Sequence, residues 1–269
     1  MKYYASLSYG KDSLAMLEAI HQLGYQLDGI VHAEVWATDD IPAELPEMIA
    51  FKKKADRIIK ERYGIEVEHV HALDKDGSKL TFEKYFYKVP RGKRAVKNER
   101  FSGCIYGWPF TKGSWCLREL KLGAMKSIKN EACYIGIAVD ETERINNSQN
   151  VGKLLPLVDN GWTEADCMKW CVKNDLLSPI YKTSVRGGCW FCPKQRLSDL
   201  RKLHHVHPEL WELMLRWDAD SPVTFRADGH TVRDYDRRFK LEQRGTVPTS
   251  RAFRWEMLNQ LSLYDYKEE

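Results

Sequence analysis

Hydrophobic positions in the first 75 residues alternate between the spacing of strands and the spacing of helices. Residues 3–8 predict a short strand, and residues 30–35 predict a second one. Between them, apolar residues follow one helical face before Gly24: Leu14, Leu17, Ile20 and Leu23. Residues 46–63 predict a longer helix, and residues 65–70 alternate like a third strand. This β-α-β-α-β order predicts a parallel sheet covered by helices.

After residue 71 the pattern of hydrophobic and polar residues changes twice. Residues 72–113 are basic and aromatic without a clear period, and they predict an excursion above the sheet. A helix near residues 117–128 and a buried strand near residues 133–139 follow, and the pattern is mainly helical from about Trp162. We therefore predict an α/β protein with a Rossmann-like, doubly wound and mainly parallel sheet. The first domain spans 1–160, including the excursion, and a mostly helical C-terminal lobe spans 161–269.

Composition narrows the class of protein. The chain has 269 residues, of which 43% are hydrophobic and 30% are charged, as is usual for a globular enzyme. No apolar run approaches the roughly 20 residues of a membrane span, and no signal-peptide pattern opens the sequence. We therefore expect a cytoplasmic protein with no membrane partner. Its seven cysteines do not indicate a disulfide framework, so they are expected in the core, at a metal or at a redox group.

The loop Ser8-Tyr9-Gly10-Lys11-Asp12-Ser13 joins the first strand to the first helix and has the features of an anion site. The N–H groups at a helix N-terminus are unsatisfied and carry partial positive charge. Gly10 lets the backbone approach a phosphate, two serines supply hydroxyls and Lys11 adds a positive charge. Asp12 suits such a site if Mg²⁺ lies between it and the phosphates. The alternative is an ordinary helix start, capped by Asp12 or Ser13, with Lys11 in solvent.

The loop is not a Walker A loop, because Ala5 stands where that motif needs its first glycine. It resembles the PP-motif Ser-Gly-Gly-Lys-Asp-Ser of the PP-loop ATP pyrophosphatase superfamily, with Tyr9 in place of the first glycine. That variation is common in the branch related to phosphoadenosine phosphosulfate reductase. Two later stretches also resemble this branch: Gly136-Ile-Ala138-Val-Asp140-Glu141-Thr-Glu-Arg144, in which Ala138 replaces a usual arginine, and Leu155-Pro-Leu through Leu177-Ser-Pro-Ile-Tyr181. The resemblance covers roughly residues 1–207.

This resemblance implies that ATP is cleaved between its α- and β-phosphates, so that an acceptor is adenylated and pyrophosphate leaves. Residues 8–13 would then hold the triphosphate and Mg²⁺, with Asp140 and Glu141 also at the nucleotide. Lys11, Asp12 and Arg144 would act in catalysis by stabilising the departing pyrophosphate electrostatically. The alternative role for Arg144 is a surface salt bridge.

A second motif, Cys189-Trp-Phe-Cys192-Pro, is a C-x-x-C turn preceded by two glycines. This spacing lets two thiolates bind one ion, and Cys104 and Cys116 are the predicted remaining ligands. The four cysteines would bind either an iron–sulfur cluster of the [4Fe–4S] type or a Zn²⁺ ion, since both accept four cysteines. The alternatives are a thioredoxin-like redox pair, or a histidine from residues 204–207 in place of Cys104.

The other cysteines are expected to be structural. Cys133 lies inside an apolar strand. Cys167 and Cys171 are four residues apart on a predicted helix, where core packing is expected and half of a metal site is the alternative.

The predicted function is therefore that of an ATPase which forms AMP and pyrophosphate to adenylate an acceptor. The turn at Cys189 resembles that of the DNA phosphorothioation ATPases, which implies sulfur transfer to a nucleic acid and a sulfur-donor protein as a partner. One alternative is a sulfonucleotide reductase, but those enzymes use a cysteine near the C-terminus and no cysteine follows Cys192 here. The other alternative is a non-catalytic, nucleotide-binding partner subunit.

A nucleic-acid acceptor would suit the basic stretch from residue 88 to residue 100. It contains six cations and one acid, Glu99: Lys88, Arg91, Lys93, Arg94, Lys97 and Arg100. Aromatic residues flank it as candidate stacking surfaces: Tyr85, Phe86, Tyr87, Phe101, Tyr106 and Trp108. The alternative is a solvated loop whose aromatic residues pack into the protein.

Overall fold

The computed structural model describes residues 1–90, 103–109, 114–128, 131–147, 152–182 and 187–258. Its central feature is a four-stranded sheet in the order β3-β2-β1-β4, in which every strand pair is parallel. The strands are β1 (Tyr3–Ser6), β2 (Gly29–Glu34), β3 (Val67–His71) and β4 (Ala132–Tyr134). The prediction of a Rossmann-like α/β fold is thereby confirmed, although β4 is shorter than the predicted strand at residues 133–139.

Helices connect the strands and make up most of the later chain. They are α1 (Lys11–Gln22), α2 (Pro46–Tyr63), α3 (Phe82–Phe86), α4 (Leu122–Ala124), α5 (Thr142–Ile145), α6 (Pro156–Asp159), α7 (Glu164–Lys173), α8 (Leu197–Val206), α9 (Pro208–Asp220) and α10 (Val232–Gln243). The helix predicted at residues 117–128 is irregular. It begins with a π-helical turn at Leu117–Lys121, continues as α4 and ends in a 3₁₀ turn at Met125–Ile128.

Local sequence explains where the main helices begin and end. Pro46 starts α2, where its missing N–H costs nothing, and Gly64 ends it in a left-handed conformation with φ of 71°. Thr163 caps α7 through a capping box, because its hydroxyl accepts the N–H of Asp166 and the Asp166 carboxylate accepts the N–H of Thr163.

The chain divides into two compact units. The first comprises 1–84 and 115–190 and contains the sheet; the second comprises 85–114 and 191–269. The predicted boundary after residue 160 therefore falls inside the first unit. The reason is α7, which packs against α1 and buries Cys167 and Cys171 completely in the core around the sheet. Core packing of these two cysteines, expected from their spacing, is confirmed.

The second unit has an aromatic core. The ring of Trp108 packs against Phe225 at a centroid distance of 4.9 Å, and its Nε1 donates to Asp218 at 3.0 Å. Tyr85, Phe86 and Trp108 are buried, which fits the alternative in which these aromatic residues pack into the protein, whereas Tyr87 is 38% exposed. Five cations of the basic stretch, together with Phe101, lie outside the described residues: Arg91, Lys93, Arg94, Lys97 and Arg100.

Among the described helices, none is both long enough and apolar enough to cross a membrane.

Candidate functional site

The candidate site lies at the carboxyl ends of β1 and β4. β2 and β3 lie on one side of β1 and β4 lies on the other, so the order of the strands reverses between β1 and β4. Open parallel sheets bind their ligands at such a reversal, because the connections leave in opposite directions and open a crevice. Residues 8–13 follow β1 there, and residues 136–141 follow β4.

The loop after β1 is held by its own serines. The Ser8 hydroxyl and the Ser8 N–H both donate to the Ser13 hydroxyl oxygen, at 3.0 and 3.1 Å, and Ser13 donates to the Gly10 carbonyl at 3.0 Å. Gly10 occupies the N-cap of α1, so no side chain caps the helix from that position. The Lys11 N–H donates to the hydroxyl of Tyr181 at 3.1 Å. The first turn of α1 is therefore not the ordinary capped start that the alternative supposed.

Lys11 lies between two carboxylates instead of pointing into solvent. Its ammonium is 2.7 Å from Asp12 and 2.7 Å from Glu164, and only 12% of its side chain is exposed. Burial works against the charge, but the hydrogen bonds to Asp12 and Glu164 raise the pKa of Lys11 above its ordinary value. Lys11 is thus a permanently charged group fixed beside the loop.

Three carboxylates converge around this lysine. Asp12, Glu141 and Glu164 each place an oxygen within 4.8 Å of the others. Burial raises the pKa of Asp12, and the charges of Glu141 and Glu164 add to the effect, while Lys11 opposes it. The three carboxylates are paired with two cations, Lys11 and Arg144, so the cluster keeps excess negative charge. The cluster has the hard oxygen donors that Mg²⁺ prefers.

The segment after β4 supports the same cluster. Asp140 accepts the N–H of Glu164 at 3.0 Å, at the start of α7. Glu141 accepts the N–H of Ala138 at 3.1 Å and pairs with the Arg144 guanidinium at 2.5 Å. The predicted salt bridge of Arg144 therefore exists, and the same residue also lines the pocket described below.

Tyr9 is the most constrained residue of the loop. It is fully buried and has a positive φ of 56°, in the left-handed region that glycine adopts easily and tyrosine rarely does. Its hydroxyl donates to the Asp56 carboxylate and lies 3.1 Å from Nε2 of His69. Buried contacts therefore hold a tyrosine in a conformation that glycine adopts more easily.

His69 connects this tyrosine to two acids. Its Nδ1 lies 2.9 Å from Glu34 and its Nε2 lies 3.1 Å from Asp56. Hydrogen bonds to Asp56 and Glu34 raise the pKa of His69 to about 9, and the bond from His69 lowers the pKa of Glu34 to about 2. The imidazole is therefore doubly protonated at neutral pH.

This histidine predicts a pH-dependent stability. The pKa of His69 is raised above the ordinary value of about 6.5. Its stabilising contribution is therefore complete below about pH 6.5 and is lost as the pH rises through about 9. We expect the free energy of unfolding, measured by urea titration, to fall across this interval. His69→Gln should flatten the fall and His71→Gln should not; an unchanged slope in His69→Gln would refute the assignment.

A pocket of about 450 Å³ opens beside the loop, within the usual volume range of small-molecule sites. One part of its lining is polar and comes from the loop: Ser8, Gly10, Asp12 and Ser13. Another part is apolar and comes from β2, the segment between β2 and α2, α2 itself and the irregular helix: Ala33, Val35, Ala43, Met48, Leu122 and Met125. The pocket therefore combines a polar wall at a helix N-terminus with an apolar wall that suits a flat, apolar group.

No protein-family model matches the chain, and no curated protein matches it. Among the similar solved structures is the U34-tRNA thiolase NcsA from Methanococcus maripaludis with its [4Fe-4S] cluster, at 16% identity and a TM-score of 0.38, over 89% of this chain and 72% of that chain. This likeness is too distant to assign a family or a function.

Two residues of the site were missed by sequence reasoning. Glu164 follows the cap of α7 and looks like an ordinary acid in a first helical turn. Tyr181 belongs to the segment Leu177-Ser-Pro-Ile-Tyr181, in which nothing links it to Lys11. Both approach Lys11 from more than 150 positions away, so no local signal could have found them.

The four predicted metal ligands are distributed over both units. Cys116 and Cys189 belong to the first unit, Cys104 and Cys192 belong to the second, and all four are half-buried. None of the seven cysteines, all of which lie in the described ranges, forms a disulfide. Cys189 also lines the pocket beside the loop. The ligand set itself stays a prediction.

Proposed function

We propose that this protein is a PP-loop ATP pyrophosphatase, which cleaves Mg-ATP to AMP and pyrophosphate and adenylates an acceptor. The observation that supports it best is the position of Lys11. This half-buried ammonium lies between Asp12 and Glu164, at the N-terminus of α1 and beside a pocket of suitable volume. Three stretches that resemble the superfamily contribute side chains to this one place, which an accidental match of a hexapeptide would not produce.

The loop suits the triphosphate. The N–H groups in the first turn of α1 and the two serine hydroxyls are donors for phosphate oxygens, and the helix dipole favours their charge. Asp12, Glu141 and Glu164 are the residues that would hold Mg²⁺, which would offset the excess negative charge of the cluster and that of the phosphates.

The chemistry needs no nucleophilic side chain. An oxygen of the acceptor attacks the α-phosphorus, the bond from that phosphorus to the bridging oxygen breaks, and pyrophosphate leaves with the electron pair. AMP stays bonded to the acceptor oxygen until a sulfur nucleophile from the partner protein attacks the acceptor and AMP leaves with that oxygen. In the first step, negative charge therefore grows on the departing pyrophosphate. We assign its stabilisation to Lys11, with Arg144 as a second cation at the pocket wall.

For the acceptor we propose a nucleic acid, with sulfur supplied by a partner protein. The basic stretch at residues 88–100 supports this choice by charge alone. Cys104, Cys116, Cys189 and Cys192 are proposed to hold a [4Fe–4S] cluster or Zn²⁺. The intact Lys11-Asp12-Ser13 sequence favours a triphosphate over a sulfonucleotide.

The test is product formation from Mg-ATP. We expect pyrophosphate, and an equal amount of AMP bonded to the acceptor, when the purified, anaerobically prepared chain is mixed with total RNA or duplex DNA as the acceptor. Iron, zinc and acid-labile sulfide are measured in the same preparation. Tight ATP binding without pyrophosphate for any acceptor would indicate the non-catalytic subunit instead. Sulfite release from phosphoadenosine phosphosulfate, lost in Cys192→Ser, would indicate a reductase.

A further inference from the structure

His32 is a buried residue of the pocket that the proposed chemistry does not use. It lies on β2, opposite His69 on β3, and is only 5% exposed. Its Nδ1 is 2.8 Å from the carbonyl oxygen of Leu7, at the end of β1. Because a carbonyl oxygen can only accept a hydrogen bond, Nδ1 must carry the proton.

The other ring nitrogen is therefore an acceptor. Burial, together with the charge of Lys52, lowers the pKa of His32 to about 3, so the ring stays neutral at physiological pH. Its Nε2 is shielded from solvent and has no hydrogen-bond partner among the described residues. A buried acceptor left unsatisfied costs free energy, which a bound donor would recover.

The lining of the pocket favours a base as the source of that donor. Its apolar residues include Ala33, Val35, Met48 and Met125. Such a wall suits the flat face of a purine better than the hydroxyls of a sugar.

We propose that Nε2 of His32 accepts a hydrogen bond from the exocyclic amine of adenine and thereby selects ATP over GTP. Guanine carries a carbonyl oxygen at the same position of the ring, which would place two acceptors against each other. This inference rests on the proposed function, since it supposes that the pocket binds a nucleoside triphosphate.

The test compares triphosphates that differ at single groups. Dissociation constants are measured by titration calorimetry with Mg²⁺ for ATP, purine riboside triphosphate, GTP and 2′-deoxy-ATP. Purine riboside triphosphate lacks only the amine, so we expect the wild-type chain to bind it about tenfold more weakly than ATP. In His32→Phe, which keeps a flat ring without the acceptor, the two should bind equally.

A second variant separates the acceptor from the shape of the ring. His32→Gln keeps an acceptor oxygen and should retain part of the preference for ATP, and thermal unfolding shows whether each variant is folded. A preference that persists in folded His32→Phe overturns the assignment. So does a wild-type penalty found for 2′-deoxy-ATP and not for purine riboside triphosphate, which would place the donor on the sugar. If no triphosphate binds to the wild-type chain, the proposed function fails as well.

Discussion

Replacing Lys11 with methionine is expected to lower the initial rate of pyrophosphate formation about 100- to 1000-fold. A fixed cation aimed at a leaving group acts mainly in the transition state, where the charge develops, and removing one such group has an effect of about this size. Methionine keeps the unbranched stem in its buried position but has no charge. Lys169→Met is the matched control, because Lys169 is an exposed lysine of α7 that lies 3.8 Å from Asp166 and outside the pocket lining.

The same change also removes the only described basic partner of two acids in the cluster, so a loss of rate could reflect a disturbed fold. Without the ammonium, Asp12 and Glu164 repel each other at close range. The double variant Lys11→Met with Glu164→Gln relieves this repulsion. We expect it to recover the melting temperature of the wild-type chain without recovering the rate. If the rate returns as well, Lys11 only neutralises the carboxylates, and its role in catalysis is refuted.

Local pattern was sufficient to predict the frame of the site. The spacing of apolar residues indicates two strand–helix repeats, and the loop at residues 8–13 lies between a strand and a helix in the sequence itself. The rules for strand–helix–strand connections then predict that the strands pair in parallel. They also predict that the loop lies at the carboxyl end of the sheet. The fold class and the placement of Lys11 and Asp12 at one crevice therefore needed no information from distant parts of the chain.

What could not be predicted depends on pairs of elements far apart in sequence. The division into units is one case, because residues 85–114 leave the first unit and pack with the chain after residue 190. The network that holds Tyr9 is another. Asp56 and His69 lie on α2 and β3 and have no motif around them, yet they fix the conformation of the loop. The spacing of hydrophobic residues indicates which face of a helix is buried. It does not indicate which polar side chains of a neighbouring element contact that face.

Gly136→Ala is expected to have the second large effect, by separating β4 from the first turn of α1. A Cβ at this position would lie 2.7 Å from the carbonyl oxygen of Asp12 and 2.8 Å from the Cα of Ser13. Gly136 does not adopt the left-handed conformation, so the conflict comes from this close approach alone. Both contacts are with backbone, which cannot rotate away as a flexible side chain can. We expect the free energy of unfolding to fall by about 2–3 kcal/mol, at the upper end for overpacked positions.

We also expect the affinity for ATP to fall by at least about tenfold, because the displaced turn carries the N–H groups that we assign to the phosphates. Gly123→Ala is the control, since its Cβ would meet Ala72 at an ordinary 3.5 Å and alanine is the better helix former within α4. It should leave both quantities unchanged or raise stability slightly. Measuring ATP binding well below the melting temperature of each variant separates a moved loop from an unfolded chain. Wild-type affinity in folded Gly136→Ala would mean that the segment after β4 can move away from the loop without loss, and that the strand reversal between β1 and β4 does not shape the nucleotide site.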